Sequence, residues 1–289
     1  MRNYKIPTLT IAGSDSSGGA GVQADLKTFS AIGTYGMSVI TAITAQNTQG
    51  VFLVEDLSKE IIEKQIEVVF EDITPAAVKI GMVSSPEIIH TIVNTLKKYK
   101  PKYLVVDPVM ISKSGYSLLK PEAKKSLIEE LIPMAYIITP NTPEAEEITG
   151  IKINDVNDMK EAGKKILELG PKFVLMKGGH LEGDAVDVLI GKDTFEIYKQ
   201  ERLNKKNTHG TGCTLSSAIT SHLALGYDIA EAVKLSKEYI TEAIAHSFDI
   251  GKGVGPVDHF LGLQYIIKGT KRSHEKRDRN RPLFPLFLG

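Results

Sequence analysis

The feature that most limits how this chain can fold is its alternation of short, β-rich apolar runs with helical stretches. Strands are expected at Thr8–Ala12, Val39–Ala45, Ala77–Ile80, Tyr103–Val106, Tyr136–Thr139 and Phe173–Met176. Helices are expected between them over Ala20–Ala31, Lys59–Phe70, Glu87–Lys98, Glu122–Leu131, Thr142–Thr149 and Asp158–Leu169. Asp184–Ile190 and Thr194–Lys199 flank a Gly-Lys-Asp turn and read as a hairpin. Two further helices, Gly212–Leu225 and Ile229–Ser247, finish the core. Strands separated by helical segments need crossovers, so the sheet is expected to be mostly parallel. There is no internal repeat and no linker composition.

Composition narrows the class. The 289 residues are 42% apolar and 24% charged, which excludes a fibrous or wholly disordered chain. Thirty-five basic residues balance thirty-five acidic ones, so no global charge points to nucleic acid or a membrane surface. The only cysteine, Cys213, has no partner for an intramolecular disulfide, and a cytoplasmic location is expected. No apolar run approaches the ~20 residues of a membrane span, and the N-terminus reads as a first strand. Lys271–Arg281 carries six basic and two acidic residues and precedes an aperiodic PLFPLFLG. We expect one domain over residues 1–267 and a disordered tail over 268–289.

In open parallel sheets ligands bind beyond the carboxyl ends of the strands. Those ends carry Gly13 to Gly21, Gln46-Asn47-Thr48, Gly81-Met82, Asp107-Pro108, Pro140 to Glu144 and Lys177 to His180. Each could be turn or cap chemistry. Six such ends together argue for a polar small molecule at the rim. Two loops stand out. Gly13–Gly21 has four glycines and opens a helix, yet it has neither the Walker spacing nor the dinucleotide fingerprint. Asn207–Thr214 reads NTHGTGCT and runs straight into an apolar helix. Small residues there leave backbone N–H groups free at the positive end of a helix dipole, which suits phosphate. Cys213 falls in that first turn, where a thiol pKa is expected to fall; a small buried hydrophobe is the other reading.

The segments GSDSSGGAGVQADLKTF, ITAQNTQGV, KIGMV, VVDPVM, TPNTPEAE, LMKGGH, KNTHGTGCTLSSAI and VGPVDHF follow in order. Over residues 6–261 the chain resembles the hydroxymethylpyrimidine/phosphomethylpyrimidine kinases of thiamine biosynthesis, in the ribokinase-like superfamily. The resemblance implies a three-layer α/β/α fold around a mainly parallel sheet. It implies ATP- and Mg²⁺-dependent phosphorylation of 4-amino-5-hydroxymethyl-2-methylpyrimidine, then of its monophosphate to the pyrophosphate. No fused synthase domain is expected, and a homodimer is.

The resemblance also assigns residues. Gly210, Thr211, Gly212 and Cys213 form the anion hole, and Cys213, in the place where sugar kinases carry an aspartate base, is expected to be the base or the group closest to the attacking hydroxyl. Asn141 and Glu144 match an Asn-x-x-Glu pattern, Glu144 organising Mg²⁺ through water. Asp107 is a second metal-side carboxylate, Lys177 a phosphate contact, and Asn141 and Thr208 lie toward ATP. Gln46 and Asp25 match substrate contacts, with Gly13, Val109 and Met82 nearby. His180 and His209 read as structural. Pyridoxine/pyridoxal kinase is the alternative within this fold, and a non-catalytic ligand sensor is the alternative outside enzymes.

Overall fold

The computed structural model describes residues 5–261 apart from 113, 114, 180 and 182. The expected tail and His180 therefore lie outside the described residues. The strands are β1 (Pro7–Ala12), β2 (Tyr35–Ile40), β3 (Ala42–Asn47), β4 (Gly50–Asp56), β5 (Ala77–Ile80), β6 (Leu104–Val106), β7 (Ile137–Ile138), β8 (Phe173–Lys177), β9 (Ala185–Gly191) and β10 (Phe195–Gln200). The α-helices are α1 (Gly21–Ile32), α2 (Lys59–Asp72), α3 (Pro86–Tyr99), α4 (Ala123–Ser126), α5 (Thr142–Thr149), α6 (Val156–Leu167), α7 (Thr211–Ala224) and α8 (Ile229–Ala245).

Alternate residues of the central strands belong to two separate cores, and this makes three layers. Val105, Ile137, Leu175 and Leu189 pack with α7 and α8 residues such as Ile219, Leu223, Val233 and Ile240. Their neighbours Val106, Ile138, Val174, Met176 and Ile190 pack on the other face with Ile62, Ile89, Ile92 and Ile166. Successive strand side chains point to opposite faces, so a run that is apolar throughout must be covered on both sides.

Eight strands lie in the order β10-β9-β8-β7-β6-β5-β1-β2. All neighbouring pairs from β8 to β2 are parallel, while β9 runs antiparallel to both β8 and β10. The chain leaves β1 for β2 on one side and later places β5 on the other. The direction of winding thus reverses between β1 and β5, where a crevice opens at the strands' carboxyl ends.

Two expected elements differ. The single strand over Val39–Ala45 is two strands: β2 ends at Ile40 in the main sheet, and β3 pairs with β4 in a separate hairpin. Thr41 makes the break. Its N–H donates to Ala12 O and its hydroxyl to Met82 O, while Leu57 N–H donates to its carbonyl. The helix expected over Glu122–Leu131 is a four-residue α-turn at Ala123–Ser126 that widens into a π-turn over Leu127–Leu131.

Candidate active site

The anion-hole residues sit where two loops touch. Helix α7 begins on Gly210, which adopts φ +80° and offers no side-chain cap. Thr211 N–H turns back to Thr208 O, and the N–H groups that follow it are left for a ligand. A Cβ on Gly210 would lie 1.8 Å from Gly19 O, so the second glycine-rich loop presses backbone to backbone on the first. Asp15 clamps the same contact: its carboxylate accepts from Ser17, Gly19 and Ala20 N–H and lies 2.9 Å from His209 Nε2. Burial works against that charge, but the bonds from His209 and Ser17 bring Asp15 down to about 2.

Beside this turn lies an ion pair. Lys177 Nζ is 2.8 Å from Asp107 Oδ1, which also accepts from Thr139 Oγ1 at 3.0 Å. Lys177 ends β8 and Asp107 follows β6, and a β-bridge joins Lys177 to Asn141. A Cβ on Gly212 would meet Asp107 Oδ2 and Lys177 Nζ at 3.5 Å, so the helix start faces the pair directly. Burial opposes both charges; each partner then holds the other in its charged form, with Asp107 below and Lys177 above its ordinary value.

Glu144 is the unbalanced charge. It forms a reciprocal capping box with Asn141, both bonds 2.8 Å, at the start of α5. Burial pushes its carboxyl up; Lys177 counters this, but the nearby Asp107 carboxylate adds to the rise, leaving it at about 7. Lys79 is already paired with Asp25 and Lys177 with Asp107. A cation arriving here would satisfy Glu144. Among the described residues no cluster of three or more acidic, His or Cys side chains could cage a metal. Two carboxylates fit a Mg²⁺ that keeps its waters and takes its remaining oxygens from a ligand.

This predicts a stability effect. The folded pKa lies above the ordinary 4.5, so between those values the folded state binds the extra proton and stability falls as pH rises through about 7. Glu144→Gln keeps the cap and removes the charge. It is expected to raise the Tm by about 2–4 °C at pH 8, for a gain of about 1 kcal/mol, and by less at pH 5. Thermal unfolding at the two pH values checks this; an equal shift at both would contradict it.

A cleft of about 1140 Å³ gathers these groups. Gly13, Gln46, Met82, Val109, Asp107, Asn141, Glu144, Lys177 and Thr208 line it, as do Gly210 to Cys213. Asp25 does not. It is buried beneath the floor, where Lys79 Nζ lies 2.8 Å from both its oxygens and Thr10 and Ser217 donate to it. The expected direct substrate contact by Asp25 is corrected: its carboxylate is fully used by these partners. The expected low pKa of Cys213 is also corrected. Burial dominates, Lys79 offsets it in part, and Asp25 and Asp107 add to it, so the thiol is pushed up to about 11.

Three further groups reach the cleft: two have no role in the sequence analysis, and the third, His209, is expected there to be structural. Lys79 is a fully buried lysine in an otherwise apolar strand; its place in KIGMV was the available signal. His209 lines the cleft. Asp187 and Lys237, an ion pair of 2.5 Å on the wall between β9 and α8, carried no local signal.

The family model described as phosphomethylpyrimidine kinase matches residues 15–258. The chain is 52% identical over 256 residues to the hydroxymethylpyrimidine/phosphomethylpyrimidine kinase of Rhizobium meliloti, covering 87% of this chain and 96% of that one. It is 48% identical over 259 residues to the thiamine biosynthesis bifunctional protein ThiED of Geobacter sulfurreducens, covering 89% of this chain but spanning only 53% of that relative. A phosphomethylpyrimidine kinase crystal structure from Clostridium difficile 630 is 77% identical, with a TM-score of 0.76, covering 83% of this chain and 100% of that one. A pyridoxal kinase from Staphylococcus aureus, in complex with AMP-PCP and pyridoxal, is 37% identical, with a TM-score of 0.82, covering 89% and 94%.

Proposed function

We infer the reaction from a premise of kinship: the chain belongs to the phosphomethylpyrimidine kinase family. It is a kinase that phosphorylates 4-amino-5-hydroxymethyl-2-methylpyrimidine and then its monophosphate, in thiamine biosynthesis. ATP is the donor, a reading supported by the AMP-PCP complex of the related S. aureus kinase. The observation that carries the mechanism is the uncapped start of α7 facing the Lys177–Asp107 pair.

The N–H groups of Gly212 and Cys213 and the Lys177 ammonium hold the transferring phosphoryl group, whose negative charge suits a helix N-terminus. Asn141 and Thr208 lie along the approach of the nucleotide. Glu144 and Asp107 would hold Mg²⁺ through water, and the ion would neutralise charge on the phosphates. Gln46, Gly13, Val109 and Met82 form the substrate end, where the amide pairs with the ring edge and the apolar groups wall it. Asp25 acts only through Lys79, which is buried and borders the cleft. Cys213 stands beside the attacking hydroxyl. A thiol raised to about 11 is a poor resting base. Its part is to orient the hydroxyl, whose proton passes late in a loose transition state to an oxygen of the transferred phosphoryl group as ADP leaves.

Phosphorus NMR with the pyrimidine alcohol and Mg·ATP tests this. The monophosphate and then the pyrophosphate should appear, and Glu144→Gln should remove most of the turnover. No new phosphorus signal from the wild-type protein would overturn the reading. Phosphorylation of pyridoxal is the second reading, favoured by the likeness to the S. aureus pyridoxal kinase; relative kcat/KM on the two alcohols ranks them. The protein acts in the cytoplasm in this reading. Among the described residues no helix is long and apolar enough to cross a membrane. A homodimer is proposed too, supported by Phe52, Leu53 and Ile43, which are 67%, 65% and 52% exposed on the β3–β4 hairpin.

A further inference from the structure

The side chain of Gln46 touches two groups within the cleft. One of its terminal atoms lies 3.4 Å from His209 Nε2 and the other 3.3 Å from Thr44 Oγ1. As placed, the amide nitrogen faces His209 and the amide oxygen faces Thr44. Each neighbour's other bond opposes that placement. His209 Nε2 is 2.9 Å from Asp15 Oδ2. An ionised carboxylate only accepts, so Nε2 carries the proton and has no lone pair for an amide N–H. Thr44 has a single hydroxyl proton, which goes to Ser14 O at 2.8 Å. Its oxygen is left as an acceptor and has nothing to donate to an amide oxygen. Turning the amide over removes both conflicts: Nε2 donates to Thr44 Oγ1, and Oε1 faces the His209 Nε2–H as its second, longer acceptor at 3.4 Å beside Asp15 Oδ2 at 2.9 Å. The oxygen and nitrogen of an amide are told apart by such networks. Asp15 is itself fixed by Ser17, Gly19 and Ala20. Gln46's backbone is pinned in both directions by Ser16 Oγ, at 2.7 and 2.9 Å.

We propose that His209, oriented by Asp15, fixes which end of the Gln46 amide presents its donor and which its acceptor to the cleft, and so determines specificity for the aminopyrimidine ring. This rests on the reading of Gln46 as a substrate contact. An aminopyrimidine edge offers a ring-nitrogen acceptor beside an amine donor, so it is recognised only by an amide held one way round. An amide free to turn over spends half its population mismatched and gives up part of that discrimination.

The test has two arms. Nitrogen-15 NMR of the ligand-free protein reads the His209 ring directly. The proton is expected on Nε2, and an Nε2 without a proton in the neutral ring overturns the proposal. The second arm is steady-state kinetics of His209→Phe and His209→Gln. Phe removes the donor, and Gln returns an N–H at about the same reach. His209→Phe is expected to raise the KM for 4-amino-5-hydroxymethyl-2-methylpyrimidine by about tenfold while the KM for ATP changes by less than about twofold, and His209→Gln to recover most of the loss. Equal rises in both KM values would mark a merely structural clamp between the loops and overturn the proposal, as would an unchanged pyrimidine KM. Absence of turnover in the wild-type protein would refute the function, and the NMR arm would still decide the hydrogen-bond chain.

Discussion

Lys177→Met is expected to lower kcat by about 10²–10³-fold while leaving the KM for the pyrimidine alcohol nearly unchanged. The ammonium stands 2.8 Å from Asp107 and faces the start of α7. There it contributes most when charge moves onto the transferring group. Its removal has a second consequence. Asp107 and Glu144 are both buried, and Lys177 is the first attractive charge acting on each. Breaking a buried pair by deleting one partner costs about 3–5 kcal/mol, because the remaining charge is left uncompensated. The variant should therefore also unfold at a lower temperature, and more so above pH 7, where Glu144 is ionised. Arginine should not rescue turnover, since a planar fork does not occupy the site of a compact ammonium. A Lys177→Met protein with kcat within tenfold of wild type would remove Lys177 from the chemistry.

Gly210→Ala is expected to be nearly inactive and markedly less stable. The residue has φ +80°, and its added methyl would meet Gly19 O at 1.8 Å and Gly19 C at 2.9 Å. Neither neighbour is a flexible side-chain end, so the two loops must part. Strain at such a backbone position costs on the order of 1–3 kcal/mol even before the clash. Parting the loops displaces the N–H groups of α7, and a shift of about 1 Å can cost 10²-fold in rate. Gly212→Ala is the informative contrast. Its methyl would sit 3.5 Å from Asp107 Oδ2 and Lys177 Nζ, an ordinary contact. The protein should stay as stable as wild type, or gain slightly from helix propensity, yet lose about tenfold or more in kcat because the methyl fills the space before the ion pair. Stability from denaturant unfolding and turnover from a coupled assay separate the two effects. A Gly212→Ala enzyme with full activity would contradict this placement of the phosphoryl group.

What the chain disclosed locally, it disclosed well. Ala77–Ile80 and Thr142–Thr149 fall at their expected bounds, because one is a short run apolar at three of four positions and the other carries its own capping box. The run VITAITA contains no turn signal, and only Thr41's bonds to Ala12, Met82 and Leu57 divide it. The β4 strand escaped notice because Phe52 and Leu53 both face solvent, so alternation is lost in a two-stranded ribbon. At the site, the strand ends bring Gly13, Met82, Asp107, Asn141, Glu144 and Lys177 to one cleft, since the end of a parallel strand is a topological fact, while most of the other lining residues carry no such signal. Asp25 was misplaced because its partner Lys79 is 54 positions away. The Cys213 thiol was misjudged for a similar reason. A helix N-terminus is visible in sequence, whereas burial beside Asp25 and Asp107 is not.

The most direct measurement is a crystal structure of this protein with a non-hydrolysable ATP analogue and the pyrimidine alcohol. The terminal phosphate is expected within about 3 Å of the Gly212 and Cys213 nitrogens and of Lys177 Nζ, with the alcohol oxygen on the Cys213 side. A terminal phosphate more than about one helical turn, ~5.4 Å, from those three nitrogens would contradict the account.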